Sequence, residues 1–364
     1  MSRKLKIPLI VLLVLLLGAG GYVLYIYVKA GEFRSIEPHF AGTCKRVPGV
    51  VGAEDITFHP RTGMAYISSD DRRATLAGRP VPGAIFGYEL DGSQPPRNLT
   101  PKADATFHPH GIGLWVAPDG RTLVFVVNHP GSSLFGDNPG QGPGHTIEIF
   151  EVGADGSLVH RRRIESELLI SPNDIAPVGE DRFYVTNDHG SEPGFGRTLE
   201  EYLRLKKANV LYFDGKRFVE AAADIRYANG VAVSADGAQV FVAMVTSFAV
   251  AVFDRDATTG ALTMKDEIDV DTGPDNIEID AAGDLWIGAH PKLLTFVAYA
   301  KDAGKLSPSQ ALRVRRTASG HDVTEIFLSN GDDMSGSSVA AWRQGRLLIG
   351  SVFDPHFLDC TAAR

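Results

Sequence analysis

Eight polar residues of the chain stand just ahead of short apolar runs or within their first positions: Glu54, Asp55, His110, Asn173, Asp174, Asn229, Asp275 and Asn276. Each one alone is an ordinary turn-capping group. Gathered at one point they would form a different object, because four carboxylates in a confined space repel unless they are neutralised or protonated. Oxygen donors without thiolate suit Ca²⁺, which accepts about six to eight oxygens from side chains, carbonyls and water. Four negative charges match two such ions. Magnesium keeps several waters and needs a tighter octahedron, so it fits less well. Zinc asks for His or Cys. The His108-Pro109-His110 pair has a proline between its rings and no third ligand nearby.

The elements that carry these residues repeat. Six times a polar residue leads into an alternating apolar strand, a Gly or Asp turn and a second apolar strand. Asn229-Gly230-Val231-Ala232-Val233, then Asp236-Gly237, then Val240 to Ala243 is one copy. The leading positions 54, 110, 173, 229, 275 and 337 are 56, 63, 56, 46 and 62 residues apart, room for four short strands per copy. Ala84 to Leu90, Thr146 to Glu151 and Ala249 to Asp254 read as further strands. The fold expected is all-β, a six-bladed β-propeller, in which radial repetition leaves only short sheet edges. A doubly wound α/β fold would need long amphipathic helices, and one helical run is legible, near Thr198 to Lys207. In a propeller the innermost strands surround the axis, so the eight residues would meet there.

The chain of 364 residues carries 36 basic and 44 acidic side chains, a formal charge of −8, which excludes a general nucleic-acid binder. Its first 31 residues hold Arg3, Lys4, Lys6 and Lys29 and no acid. Between them Ile7 to Val28 is uncharged and long enough to cross a hydrocarbon layer of about 30 Å. The expected organisation is a basic cytoplasmic stub over 1–6, an uncleaved signal anchor over 7–28, a linker over 29–43 and the propeller over 44–364, outside the cytoplasm. Cys44 and Cys360 bracket the globular part. They are either a bridge, as an oxidising compartment allows, or two free thiols.

With these residues in view, the chain resembles the paraoxonase/arylesterase family of calcium-dependent lactonases over roughly residues 44 to 360. The resemblance lies in the order and spacing of Gly52-Ala53-Glu54-Asp55, Pro109-His110-Gly111-Ile112, Val126-Val127-Asn128-His129-Pro130, Asn173-Asp174-Ile175, Thr186-Asn187-Asp188-His189, Ala228-Asn229-Gly230 and Asp275-Asn276-Ile277. Leu285-Trp286-Ile287-Gly288-Ala289-His290-Pro291 continues it. The resemblance implies a catalytic calcium on Glu54, Asn173, Asn229, Asp275 and Asn276. It implies a second, structural calcium on Asp55, Asp174 and the main-chain carbonyl of Ile112. It further implies a Cys44–Cys360 bridge, His110 as the base relayed by His129, and lactones and aryl esters as substrates. Glu54 or Asp275 is the alternative base or nucleophile. His59, His145, His189, His290 and His356 are read as structural or surface histidines.

This chain departs from the family pattern at His108, where Asn is common, and at Ala289, where several members have a free cysteine. The segment Asp70-Asp71-Arg72-Arg73 is more charged than expected of a lipophilic lactonase, and the Gly- and Pro-rich insert Ser132 to His145 is expected to form a lid or rim. The competing readings are a gluconolactonase-like or strictosidine-synthase-like propeller enzyme with a single metal, and a non-catalytic, membrane-anchored calcium propeller.

Overall fold

The computed structural model describes residues 3–92, 94–130, 144–317 and 320–363. The insert expected to form a lid or rim falls largely outside them; its last two residues, Gly144 and His145, are inside. Six antiparallel sheets of four or five strands are present. Their innermost strands are Ala53–Phe58, Pro109–Val116, Pro172–Gly179, Ala228–Val233, Gly273–Ile279 and Ser337–Arg343, so every leading residue of the repeat lies on an inner strand. The six-bladed propeller is therefore the observed fold, and the sheets are numbered here from the first to the sixth blade in that order.

Two faces of each inner and middle strand are covered by neighbouring blades, which is why the strands Thr122–Asn128 and Gln239–Met244 are buried throughout and mostly apolar. Phe183 of the third blade stacks on Phe213 and packs against Phe125 of the second, with ring centroids 5.1 and 5.6 Å apart. Burying each such ring contributes about 2–3 kcal/mol. Outer strands such as Leu158–Glu165 and Leu262–Asp269 turn polar, as their exposed faces require.

The ring is closed by the two ends of the propeller segment. Gly42–Pro48 is the outermost strand of the sixth blade and pairs with the C-terminal strand His356–Ala362. Cys44 lies opposite Cys360 in that register, and the two are joined in a disulfide. The bridge closes a loop of 316 residues, which raises the free energy of the unfolded chain by shrinking its conformational space.

Because the strands alternate in direction, the start of each inner strand and the end of the second strand lie at one end of the axis. Connections between second and third strands therefore stand above the leading residues. Among the described residues the longer helices in them are Phe195–Tyr202 in the third blade and Leu293–Lys301 in the fifth, besides the short Arg72–Leu76 in the first. Phe195–Tyr202 corresponds to the helical run expected at Thr198 to Lys207, shifted toward the N-terminus. Leu293–Lys301 escapes sequence reading because Lys292 ahead of it makes no side-chain cap. Its cap comes from far away in sequence: Glu32 accepts from the amides of Leu294 and Thr295 at 2.8 and 3.0 Å and from the Thr295 hydroxyl at 2.7 Å.

Glu32 lies three residues beyond the end of an N-terminal helix, Arg3–Lys29, whose Ile10–Lys29 portion has mean hydropathy 2.3 and is unburied. That portion is long and apolar enough to cross a membrane. The Tyr22 hydroxyl donates to the carbonyl of Tyr202 at 3.0 Å, so the helix leaves the propeller beside the third-blade connection.

Candidate metal and catalytic site

The inner strands start in two alternating ways. The first, third and fifth blades carry paired polar groups, Glu54-Asp55, Asn173-Asp174 and Asp275-Asn276, while the second and fourth carry one followed by glycine, His110-Gly111 and Asn229-Gly230. The glycines are needed for close approach. A Cβ on Gly111 would stand 2.5 Å from the Cα of Asp174, and one on Gly230 would stand 2.6 Å from the Cα of Asn276.

Close approach allows a carboxylate to reach the main chain of the next blade. Asp55 accepts from the amide of Ile112 at 2.7 Å and from its own neighbour Ile56 at 2.8 Å. Asp174 repeats this one pair of blades later, with Val231 and Ile175 both at 2.7 Å. These two aspartates are buried deeper in the fold's hydrogen-bond network than the residues beside them. Burial and the charge of Glu54 push the Asp55 carboxyl well above its usual range, and burial and Asp55 do the same to Asp174.

The neighbouring ring is different. Glu54 Oε2, Asn173 Oδ1, Asn229 Oδ1 and Asn276 Oδ1 are buried, and none has a hydrogen-bond partner among the described residues. An orphaned buried oxygen costs about 1–3 kcal/mol, so four together demand an occupant. Their orientation is set by the other half of each group: Asn276 Nδ2 donates to Glu54 Oε1 at 2.8 Å, and Asn173 Nδ2 donates to Asp188 Oδ2 at 3.3 Å. Asp275 joins them with Oδ2 at 2.9 Å from His290 Nε2, and burial raises its carboxyl above the usual range. Burial also opposes ionisation of Glu54, but the His110 imidazole, Arg72 and the Asn276 hydrogen bond outweigh it and hold that carboxyl below its usual range.

A Glu54 carboxylate oxygen and three carboxamide oxygens, with the buried carboxyls of Asp55, Asp174 and Asp275 close by in the chain, fit a hard divalent cation such as Ca²⁺. Among the described residues no three His, Cys, Asp or Glu side chains gather at metal-ligand spacing by themselves. The carboxamides complete the set.

Of the two histidines singled out from sequence, His110 is buried with Nε2 3.4 Å from Glu54 Oε1. His129 meets it edge to face, ring centroids 4.9 Å apart, and makes no contact of its own with the oxygen ring among the described interactions. Burial and the nearby His145 and His110 rings hold His129 well below the usual histidine range.

Several neighbours were not singled out. His145 and His290, read as structural or surface residues, touch His129 and Asp275 instead. Phe296 of the fifth-blade helix stacks on His290 at 3.8 Å and fixes its plane. Asp188 supports Asn173, while His189 holds Asp188 through Nδ1 at 2.7 Å. The charged segment Asp70-Asp71-Arg72-Arg73 is partly buried: Asp70 Oδ1 lies 2.9 Å from His108 Nδ1, and Asp71 caps a short helix, Arg72–Leu76. The missed signal is positional. Asp70, His129, Asp188 and His290 all follow the last residue of a second strand or form it, at the end of the axis where the inner strands begin.

Comparisons with known proteins agree with this geometry. The arylesterase family model matches residues 35–361. Serum paraoxonase/arylesterase 2 of Homo sapiens is 33% identical over 365 residues, covering 97% of this chain and 98% of the relative. The same-named protein of Gallus gallus is 34% identical over 330 residues, covering 88% and 89%. Among solved structures, a gluconolactonase from Xanthomonas campestris superposes with TM-score 0.52 at 17% identity, covering 91% of this chain and 99% of its own. A luciferin-regenerating enzyme gives 0.53 at 14% identity, covering 88% and 95%. At such identities the structural likeness extends to the propeller alone. The family model and the curated relatives, spanning nearly the whole chain, carry the assignment: the chain belongs to the arylesterase family of ester-hydrolysing enzymes.

Proposed function

We propose that the chain is a calcium-dependent hydrolase of carboxylic esters, with lactones and aryl esters as substrates. The observation that carries this reading is the ring of four orphaned oxygens from Glu54, Asn173, Asn229 and Asn276, with Asp275 beside it. These five residues would hold a catalytic calcium; Asp55, Asp174 and the Ile112 carbonyl would hold a second, structural one. When bound, calcium supplies an electrophile for the ester carbonyl and stabilises the negative charge that develops on its oxygen.

The side chains do the rest. His290 orients Asp275, and Asn276 and His110 orient Glu54. His110 takes a proton from the attacking water. His129, neutral in its buried position, takes it onward from His110 and returns it to the leaving oxygen.

The N-terminal helix fits a signal anchor, and in our reading Arg3, Lys4 and Lys6 keep its start in the cytoplasm while residues 44–364 fold outside. The disulfide suits that compartment. Phe33, Phe195, Tyr202 and Leu203 are exposed near where the helix leaves, Phe195 by 78%, which would bring the site's rim to a lipid surface where amphiphilic lactones partition. The test is turnover of an acyl-homoserine lactone, an aliphatic δ-lactone, dihydrocoumarin and phenyl acetate with calcium and with chelator. Hydrolysis that chelator abolishes supports the reading; hydrolysis insensitive to chelator, or none on any substrate, refutes it.

A further inference from the structure

We infer that Glu32 is a positioning residue for the Asp275–His290 pair, acting through the first turn of the fifth-blade helix. The inference rests on the proposed role of Asp275 in holding calcium.

Main-chain pairing leaves Asp275 incompletely fixed. The strands Gly273–Ile279 and Leu285–His290 pair as far as Pro274 opposite Ala289, and the register then shifts before Ile277 meets Ile287. Asp275 and Asn276 lie inside that shift, so the ladder alone does not set the direction of the Asp275 carboxylate. His290 Nε2, 2.9 Å from Asp275 Oδ2, does. His290 is itself held by little. Its Nδ1 is buried and has no hydrogen-bond partner among the described residues. The plane of the ring is set by Phe296, stacked at 3.8 Å and 16° from parallel.

Phe296 is the fourth residue of the helix Leu293–Lys301, and its amide donates to the Lys292 carbonyl at 2.9 Å. The three amides before it have no acceptor inside the helix. Leu293 donates to the carbonyl of Ala30 at 2.9 Å, while Leu294 and Thr295 donate to Glu32 Oε1 at 2.8 and 3.0 Å. The Thr295 hydroxyl donates to Glu32 Oε2 at 2.7 Å. Every one of these first-turn amides thus ends on residue 30 or 32, and the carboxylate also meets the positive end of the helix dipole. A nine-residue helix is too short to sustain itself. Its other end is tied down separately, because Arg73 donates to the carbonyls of Tyr299 and Ala300 at 2.8 and 2.7 Å. Loss of Glu32 therefore loosens the turn that carries Phe296 and leaves the rest of the helix packed.

The same segment grips the other side of the hairpin. Arg34 donates to Asp271 Oδ2 at 2.6 Å and to the Asp271 carbonyl. Asp271, with a φ of 52°, stands two residues ahead of Gly273, which pairs with His290. Gly31 lies so close to Pro291 that a Cβ would stand 2.1 Å from its carbonyl oxygen. Cap and grip act on one place, the end of the hairpin where Asp275 and His290 meet.

The test compares the full chain with Glu32→Ala, Glu32→Gln and Glu37→Ala, the last removing an exposed carboxylate from the same segment. His290 ring protons, assigned with His290→Gln, lie upfield in the unsubstituted protein because they sit over the face of Phe296. In Glu32→Ala they move toward ordinary histidine positions, and the amides of Leu294 and Thr295 exchange faster. Calcium affinity by calorimetry and kcat for phenyl acetate each fall about 3- to 10-fold with KM unchanged, less than the loss expected for a residue touching the ligand itself. Glu32→Gln keeps an acceptor oxygen and recovers most of each change, and Glu37→Ala shows none of them. The inference is overturned if Glu32→Ala lowers Tm but leaves the His290 signals and calcium affinity unmoved, which is what a merely structural cap would do. Equal effects from Glu37→Ala overturn it too. Should Glu32→Ala fail to fold, Thr295→Val, which removes only the hydroxyl on Glu32 Oε2, gives the same shifts at smaller size; unchanged His290 signals there count against the inference. The ring signals and amide exchange are read without calcium or substrate. A chain that neither binds calcium nor hydrolyses esters would therefore refute the proposed function, and those two readouts would still decide whether Glu32 positions His290.

Discussion

Asn276 of the fifth blade donates its carboxamide to Glu54 of the first at 2.8 Å, and a second hydrogen bond runs from the same nitrogen to the Glu54 carbonyl at 3.1 Å. With both donors so engaged on one partner, Asn276 Oδ1 is left turned away and unpaired. One side chain thus holds Glu54 in place and offers an oxygen of its own. The same division recurs in Asn173, whose nitrogen is on Asp188 and whose oxygen is free.

Removing bound calcium should cost stability as well as turnover. Burial pushes Asp55, Asp174 and Asp275 toward protonation, so their ionisation near neutral pH opposes folding. A carboxyl raised above its unfolded value contributes stability at low pH that is lost as pH climbs through the folded value. The chelated protein should therefore melt several degrees below the calcium-loaded one, each kcal/mol being worth about 2 °C. Its Tm should also rise as pH falls from 7 toward 5. A Tm unmoved by EDTA, followed by calorimetry, contradicts the structural ion.

Gly111→Ala and Gly230→Ala should each destabilise by about 3 kcal/mol or prevent folding, since the new methyl meets main chain that cannot retreat. Gly345→Ala, where no atom lies within 4 Å, has space but a positive φ of 83° and should cost only about 1 kcal/mol. Denaturant melts of the three variants give the ranking.

His189 sits between Asp188 Oδ1 at 2.7 Å and Glu201 Oε1 at 3.2 Å. Burial opposes its charge, but the two carboxylates win and raise its pKa to about 9. A histidine raised in the folded state contributes its full stabilisation below about pH 6.5 and loses it as pH rises through 9. Stability of the unsubstituted chain should therefore decline between pH 6.5 and 9 by up to about 3 kcal/mol, and His189→Gln should flatten that part of the profile.

Cys44→Ser should lower stability by about 3 kcal/mol while leaving the axial site intact. The bridge joins adjacent outer strands of the sixth blade, and Asp359 beside it is already held by Tyr88 at 2.7 Å and by Arg346. Unfolding under reducing and oxidising conditions should differ for the unsubstituted chain and coincide for the variant.

The fold was readable because a propeller repeats: six copies of a polar residue leading two apolar strands locate six inner strands, and residues 54, 110, 173, 229, 275 and 337 all lie on them. What stayed hidden depends on partners distant in sequence. Leu293–Lys301 is capped by Glu32 from 262 residues away, so no local signal announces its start. His290 reads as the end of an apolar strand, and only Asp275 across the hairpin and Phe296 above it give it a task. His145 closes a stretch of the sequence rich in Gly and Pro, and its neighbour becomes clear only when Asn128 is paired with Thr146. The alternation of paired polar groups with X-Gly along the blades was on view in the sequence but gains meaning from the 2.5 Å approach it permits.

Calcium binding by the intact chain and by Asn229→Ala, measured calorimetrically beside lactone turnover, tests the central claim most directly. Asn229 contributes an orphaned oxygen and its carbonyl already accepts from Thr186, so the fold should survive its truncation. The account predicts two ions for the unsubstituted chain, one fewer or a much weaker one for Asn229→Ala, and turnover reduced at least about 100-fold. Unchanged calcium binding and unchanged turnover in a folded Asn229→Ala would contradict it.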